Sequence, residues 1–451
     1  MNKIVRAIKR TLFLPLIFLA RFPGTFAETA ESTKILTFEE ALNRALTSSY
    51  EIQRSTISSE QAKLDLSIAD YKSDPRLTLE GTLSDQSSSG PGAKPESNGK
   101  SQNYAATLSY DLWDFGRHSA EHQKAEKLSS ASRTAEDEVK DQIFWQVARA
   151  YLSVLSAIRV DRVASGQVEL AELKLKEQKQ NYEKGLRPES DVVSAEVDLG
   201  KSRLASQKAL DDLRISKLQL RLLMNGNLPS SHSDMHEKFS LPDNLVREMK
   251  LEEFESLHNK LISQEKQSSP STKRRAYQKE AISAEKLSIE ATKRPTLGMK
   301  LSAKDGGSLE ENRVMTQVYT AELQLSWTIP WNGMSKDEYQ KMVLQEKDVE
   351  LQDQIENKSR SSREKVALKQ IKISRTQWEI LNKQRDLLEK QKTLIRKRYE
   401  TGKATTFEVS QNEMDILNLK LDQIRLYNSM LGYLLDIAEA RSIKDLKPIL
   451  F

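Results

Sequence analysis

The side chains best able to do chemistry are few, and their spacing does not suit catalysis. Asp114-Phe-Gly116 matches the metal-binding tripeptide of protein kinases, but no glycine-rich phosphate loop or catalytic loop accompanies it. His118 and His122 fall on one helix face, and His232-x-Asp-x-His236 offers two imidazoles and a carboxylate. Neither set has the glutamate or third ligand of a zinc hydrolase. With 0 cysteines there is no thiolate site and no disulfide framework. The expectation is therefore no catalytic residue, no resident metal and no cofactor. What remains is a pair of polar clusters beside glycines: Tyr182-Glu-Lys-Gly185 followed by Ser190-Asp191-Val192, and Tyr399-Glu-Thr-Gly402 followed by Glu408-Val409. Asp191 and Glu408 stand at helix starts, where the helix dipole favours a carboxylate.

Those clusters are one motif written twice, 217 residues apart. At the same offset Leu108-Ser-Tyr-Asp-Leu-Trp-Asp-Phe-Gly116 returns as Leu325-Ser-Trp-Thr-Ile-Pro-Trp-Asn-Gly333. A register held over so long a stretch means two copies of one structural unit. Pro75 pairs with Pro295 at an offset of 220, which puts the length difference in the loop between Pro and the aromatic motif.

Period separates the elements that must carry these motifs. Leu77, Leu79 and Leu83 alternate with polar residues, as do Tyr104, Ala106, Leu108, Tyr110 and Leu112. In the second copy Leu297, Met299 and Leu301 do so, then Tyr319, Ala321, Leu323, Leu325, Trp327 and Ile329. Period two with one apolar face predicts one β-hairpin per copy. Their length and the aromatic residues near one end, Trp113, Trp327 and Trp331 among them, suit strands of a membrane barrel with a wet lumen. The rest reads as helix. Residues 116–184 hold no Pro and only Gly166 inside, enough for a rod about 100 Å long. In the second rod Val366, Ile373, Ile380, Leu387 and Leu394 recur every seven residues beside Leu381, Leu388 and Ile395, the pattern of a coiled-coil seam with the return helix. Gly185 and Gly402 permit the tight turns at the rod ends.

The organisation follows. Residues 1–27 read as a signal peptide, with basic Lys3, Arg6, Lys9 and Arg10, a short apolar run, and Thr25-Phe-Ala27 at the cleavage site. The first repeat, 28–226, holds short helices opened by a capping box at Thr37-Phe-Glu-Glu40, a hairpin at 76–113, a long helix at 116–184 and a return helix at 189–223. A linker spans 227–250. The second repeat, 251–441, holds short helices, a hairpin at 295–330, a long helix at 334–401 and a return helix at 405–440, with a tail at 442–451. Removing residues 1–27 takes away five basic residues and no acids, so the formal charge of +5 falls to 0. The basic balance belongs to the targeting segment, and nothing points to nucleic acid. At 37% apolar and 30% charged residues, with a mean hydropathy of −0.62, the chain of 451 residues is too polar for a thick core. Four strands cannot close a membrane barrel, and two-helix seams leave weakly apolar flanks, so other subunits must supply both.

In this order of segments the chain resembles the TolC-type outer membrane efflux proteins. The likeness rests on the opening Leu36-Thr-Phe-Glu-Glu-Ala-Leu-Asn-Arg-Ala-Leu46, the hairpin closing at Leu108-Ser-Tyr-Asp-Leu-Trp-Asp-Phe-Gly-Arg117, the Tyr182-x-x-Gly185 tip with Asp191-Val192, and the repetition of the set. The resemblance implies a mainly α fold with a membrane β-barrel portion: a homotrimer whose strands form a barrel in the outer membrane lipid of a Gram-negative bacterium, and whose coiled-coil helices form a tunnel through the periplasm. It implies an outer membrane channel of a tripartite efflux or type I secretion system, passively conducting substrate from an inner-membrane transporter and a periplasmic adaptor. It also implies a gate at the tips. Glu408 takes the place of the acidic ring, Tyr399 that of the tethering Tyr, and Ser190 and Asp191 that of its acceptors, with Gly185 and Gly402 as tip turns. Two positions depart from the family: Ala404, with Lys403 beside it, stands where a tethering Arg is expected, and Gln411 where a second acid would form a deeper ring. The competing expectation is a periplasmic coiled-coil adaptor or structural protein whose hairpins never meet lipid.

Overall fold

The computed structural model describes residues 34–86, 99–224, 239–240, 251–308, 316–329 and 333–444. The signal peptide, residues 87–98, most of the linker, His232, His236, Trp331 and the end of the tail lie outside them. The first repeat opens with the two-residue strand β1 (Lys34–Ile35), then the short helices α1 (Phe38–Ser48) and α2 (Tyr50–Tyr71). Thr37 caps α1 by accepting from the Glu40 amide at 3.3 Å, while the Glu40 carboxylate takes a bond from Arg44 at 2.7 Å. Ser49 caps α2 through the amides of Glu51 and Ile52. A hydroxyl on extended backbone is worth roughly 1 kcal/mol here, which is why the break falls at the Ser pair.

The hairpin β2 (Arg76–Gln86) and β3 (Gly99–Trp113) follows, then α3 (Arg117–Glu183) and α4 (Glu189–Leu223). In the linker, β4 (Phe239–Ser240) pairs in parallel with β1. The second repeat runs α5 (Leu251–Ser263), α6 (Pro270–Ala291), β5 (Thr296–Ser308), β6 (Thr316–Ser326), α7 (Met334–Glu400) and α8 (Thr406–Arg441). α3 and α7 are each 67 residues long, about 100 Å, and their ends lie at the 217-residue offset. Each rod starts at a glycine with positive φ, Gly116 at 89° and Gly333 at 71°, where a strand must turn sharply into a helix. Asp114 caps the first corner, accepting from the Gly116 amide at 3.1 Å and the His118 amide at 2.5 Å. The kinase-like tripeptide is thus a helix cap.

The four long strands form one antiparallel sheet in the order β2-β3-β5-β6. Rows cross it in strict alternation. Leu77, Leu108, Leu301 and Ala321 align, as do Leu79, Ala106, Ala303 and Tyr319; the intervening row is Thr78, Thr107, Ser302 and Thr320. The apolar face is bare: Leu79 is 75% exposed, Tyr319 77% and Leu323 73%. A bulge between Asp111 and Trp113 changes one expectation, since Trp113 rather than Leu112 stands opposite Leu297. One extra residue flips the alternation.

The apolar core sits at mid-height of the rods. Tyr151 and Leu155 of α3 meet Met430, Leu434 and Leu435 of α8, closed over by Phe38 of α1 and Phe254 of α5. α3 packs against α2, α4, α6 and α8, and α7 against α6 and α8. Here the structure corrects the seam expected in the second rod. Val366, Ile373, Ile380, Leu387 and Leu394 are all exposed, while Ala367, Ile371, Ser374, Trp378 and Ile395 are buried on the α8 side. Adjacent positions on a helix are about 100° apart, so two neighbouring heptad stripes face different directions. Only one of them meets α8.

Candidate functional site

The rod ends turn in the same way twice. Gly185 and Gly402 adopt φ of 70° and 69°, with no neighbour within 4 Å of a Cβ position, so the glycine is there for its backbone conformation. The Gly185 amide donates to the Tyr182 carbonyl at 2.8 Å and the Leu186 amide to Asn181 at 2.9 Å. Across the repeat, Gly402 donates to Tyr399 at 3.0 Å and Lys403 to Arg398 at 2.7 Å. Such bonds satisfy the last carbonyls of a helix around a left-handed residue. The Tyr-x-x-Gly spacing is therefore helix-terminating geometry in both copies. Beyond the turns, Pro188 precedes α4, and Thr405 caps α8 by accepting from the Glu408 amide at 3.3 Å.

Asp191 and Glu408 occupy equivalent positions in the first turns of α4 and α8, and each has an arginine of its own hairpin nearby. Arg187 Nη1 lies 3.7 Å from Asp191 Oδ2, and Arg398 Nη1 lies 3.8 Å from Glu408 Oε2. Arg398 also donates through Nη2 to the Lys403 carbonyl at 3.1 Å, tying the two sides of its turn. The repeat equivalent of Arg187 is Ala404. The guanidinium missing at Ala404 is thus supplied from the end of the rod, by a residue sequence reasoning missed. Its signal is faint, a basic run Arg396-Lys-Arg398 just before a tip glycine. Tyr399 and Ser190 are exposed, and among the described residues no hydrogen bond joins either of them to Asp191. The structure does not bring Tyr399 and Asp191 together within one protomer. Gln411 bonds Asp415 on its own helix at 3.2 Å.

The remaining described candidates lie where sheet meets rods. His118 Nε2 is 3.3 Å from Asp111 Oδ2 and His122 Nε2 3.0 Å from Asp70 Oδ1, at the junction of sheet and rods. No group of three or more potential ligands is arranged to hold a metal among the described residues. The Trp327 indole donates to the Lys293 carbonyl at 3.0 Å and Trp113 packs edge-on against Phe115, so both are held by neighbouring backbone or rings where sheet meets rods. No helix among the described residues is long and apolar enough to cross a membrane, which says nothing of the sheet.

Residues 41–226 match the family model described as outer membrane efflux protein. A comparison with curated protein sequences finds no match. Among solved structures the chain is similar to the outer membrane protein VceC of Vibrio cholerae, with TM-score 0.72 at 13% identity over 90% of this chain and 95% of that one. It is also similar to the CmeC outer membrane channel of Campylobacter jejuni, with TM-score 0.71 at 14% identity over 96% and 94%. The open state of the MtrE outer membrane channel of Neisseria gonorrhoeae gives TM-score 0.64 at 17% identity over 90% and 88%. At these identities the structural likeness speaks for the fold.

Proposed function

From the premise that the chain is TolC-like in family and in fold, we propose that it assembles as a homotrimeric channel-tunnel. The assembly passively conducts substrates, received from an inner-membrane transporter and a periplasmic adaptor, across the outer membrane. One observation carries the reading. Among the described residues, each of the three main contacts between the two repeats inside the protomer has a repeat-equivalent contact that the protomer leaves unmade. β3 pairs β5, and the equivalent edges β6 and β2 are open. α3 packs against α6 and α8, and the equivalents are α7 against α2 and α4, pairs that share no comparable interface within one chain.

The surfaces left over are apolar in matching places. α2 exposes Tyr50, Ile57, Leu64 and Tyr71, and the upper part of α7 exposes Leu344, Leu351 and Ile355. α4 exposes Val193, Val197, Leu204, Ile215 and Leu222; α7 exposes Leu394, Leu387, Ile380, Ile373 and Val366. Counted from Gly185 and Gly402, these five pairs lie within 3 residues of equal helical height. A second copy offering α2, α4 and β2 to α7 and β6 covers all of it, and the family resemblance supports three copies. The bare leucines and tyrosines on one sheet face support lipid over the adaptor reading, because a soluble hairpin would not expose so continuous an apolar band. In this assembly Glu408 and Asp191 are the proposed constriction residues, with Tyr399 and Ser190 beside the seam between protomers.

The absence of cysteine makes a direct test. In the mature protein, Val193→Cys with Leu394→Cys should yield, on oxidation of the outer membrane fraction, a cross-linked ladder that stops at three subunits. A soluble monomer, or a ladder passing beyond three, would overturn the proposal.

A further inference from the structure

Above the tip turns, the face of α3 that packs on its neighbours stops being apolar. Val163, Ala164 and Ala171 keep core spacing with Gln167, Lys174 and Gln178, all six buried. Gln167 is accounted for, since its Nε2 donates to Asn418 Oδ1 of α8 at 2.8 Å. Lys174 is the unusual one. It is only 7% exposed, its Nζ donates to Asp198 Oδ2 of α4 at 2.9 Å, and the same Nζ lies 4.5 Å from the ring centre of Phe407 on α8. One ammonium of α3 therefore reaches two other helices at once. Burying a lysine has a desolvation cost that an apolar residue at this spacing would avoid, so the stability of the seam does not explain it. Phe407 adjoins Glu408 in the first turn of α8, directly behind the Thr405 cap.

We propose that Lys174 is a positioning residue that latches the tip closed. It draws the first turn of α8 onto the α3–α4 hairpin, by hydrogen bond on one side and by cation over ring on the other, and so fixes where Glu408 stands. The inference rests on the channel reading and deepens it. Its location is specific. The repeat equivalents of Lys174 and Phe407 are Gln391 and Ser190, which have neither the charge nor the ring, so the latch exists only at the seam between the two hairpins of one protomer.

The test uses the full-length assembled protein. Two spin labels, at Leu186→Cys and Lys403→Cys, report the distance between the two tip turns within one protomer, with labelled chain diluted into unlabelled chain. Lys174→Met keeps the apolar stem and removes the charge; it should widen that distance and raise single-channel conductance several-fold in planar bilayers. Phe407→Leu should do the same, the double variant should exceed neither single by more than the measurement error, and Lys174→Arg should restore both readouts. An unchanged label distance in Lys174→Met overturns the latch. A wider distance with unchanged conductance, or additive effects of Lys174→Met and Phe407→Leu, overturns its role in gating. A wild-type protein that conducts no ions would count against the channel reading itself, while the label distance would still decide whether Lys174 holds the turns together.

Discussion

The register of the sheet sets a depth scale that can be tested with single arginines. Leu108, Leu77, Leu301 and Ala321 share one row near the middle of the apolar band, and Leu325 lies four residues further along β6, one residue from its end. At ~3.3 Å per residue that is about 13 Å of strand, and with a tilt of about 40° roughly 10 Å of depth. An apolar band ~25 Å tall has a half-height of about 12 Å, so in the proposed barrel Leu325 belongs at the periplasmic interface. Leu108→Arg should then cost ~2–4 kcal/mol per protomer and Leu325→Arg only ~0–1 kcal/mol. Thr107→Arg tests the other face at the depth of Leu108. Pointing into a wet lumen, it should cost far less than its neighbour. Urea titration of the protein folded into lipid vesicles gives the three values. Thr107→Arg as costly as Leu108→Arg would mean that both faces are dry; Leu325→Arg as costly as Leu108→Arg would mean that the band is misplaced along the strands. The first result refutes the lipid-facing assignment, and the second refutes the depth scale.

Two further expectations concern charge. With Glu408 countered by Arg398 of its own turn, Arg398→Gln should raise the cation preference of reconstituted channels and Glu408→Gln should lower it, read as opposite shifts of reversal potential in a KCl gradient. If neither moves it, these side chains do not line the mouth. His258 of α5 stacks on Phe254 and accepts from Arg375 Nη2 at 3.2 Å; burial first, then the guanidinium, holds its pKa below the ordinary value of 6.5. The folded state therefore binds fewer protons than the unfolded chain as pH falls below about 6.5, so stability is kept above that value and lost on acidification. His258→Gln should lose less thermal stability than wild type between pH 7.5 and 5, and equal losses would show that the ring does not matter.

What could be read from the sequence was whatever leaves a period. The alternation of Leu77 and Leu79 with threonines, and the 217-residue return of Trp113-Asp-Phe-Gly116 as Pro330-Trp-Asn-Gly333, specify hairpins and rods because only local backbone geometry is involved. The direction of a stripe is different. Val366, Ile373 and Ile380 have the same spacing whether they meet α8 or another copy of the chain, and periodicity is blind to the partner. The bulge that turned Leu112 off the apolar row leaves no trace in composition. At the tip, Arg398 reaches Glu408 ten positions away across a left-handed turn, and Lys174 reaches Asp198 and Phe407 on two other helices. Such pairs form only when folding brings distant segments to one height.

The duplication also explains why the two kinds of helix seam at the tip need not behave alike. In the proposed ring, seams within a protomer, α3 with α8, alternate with seams between protomers, α7 with α4. Near the tip the first kind is polar, held by Gln167 with Asn418 and by Lys174 over the Phe407 ring. The second would bring Leu394 and Leu387 against Val193 and Val197, residues now bare. Separating an apolar seam exposes carbon to water at roughly 25 cal/mol per Å², with nothing gained in return. A polar seam exchanges its bonds for water, at a net cost of only ~0.5–1.5 kcal/mol each. If the tips open, the cheaper motion swings α7 and α8 away from α3 within each protomer while the seams between protomers stay shut. Cross-linking Val193→Cys to Leu394→Cys should then leave the conductance gained by Lys174→Met intact, and its loss would show that opening runs through the apolar seam instead.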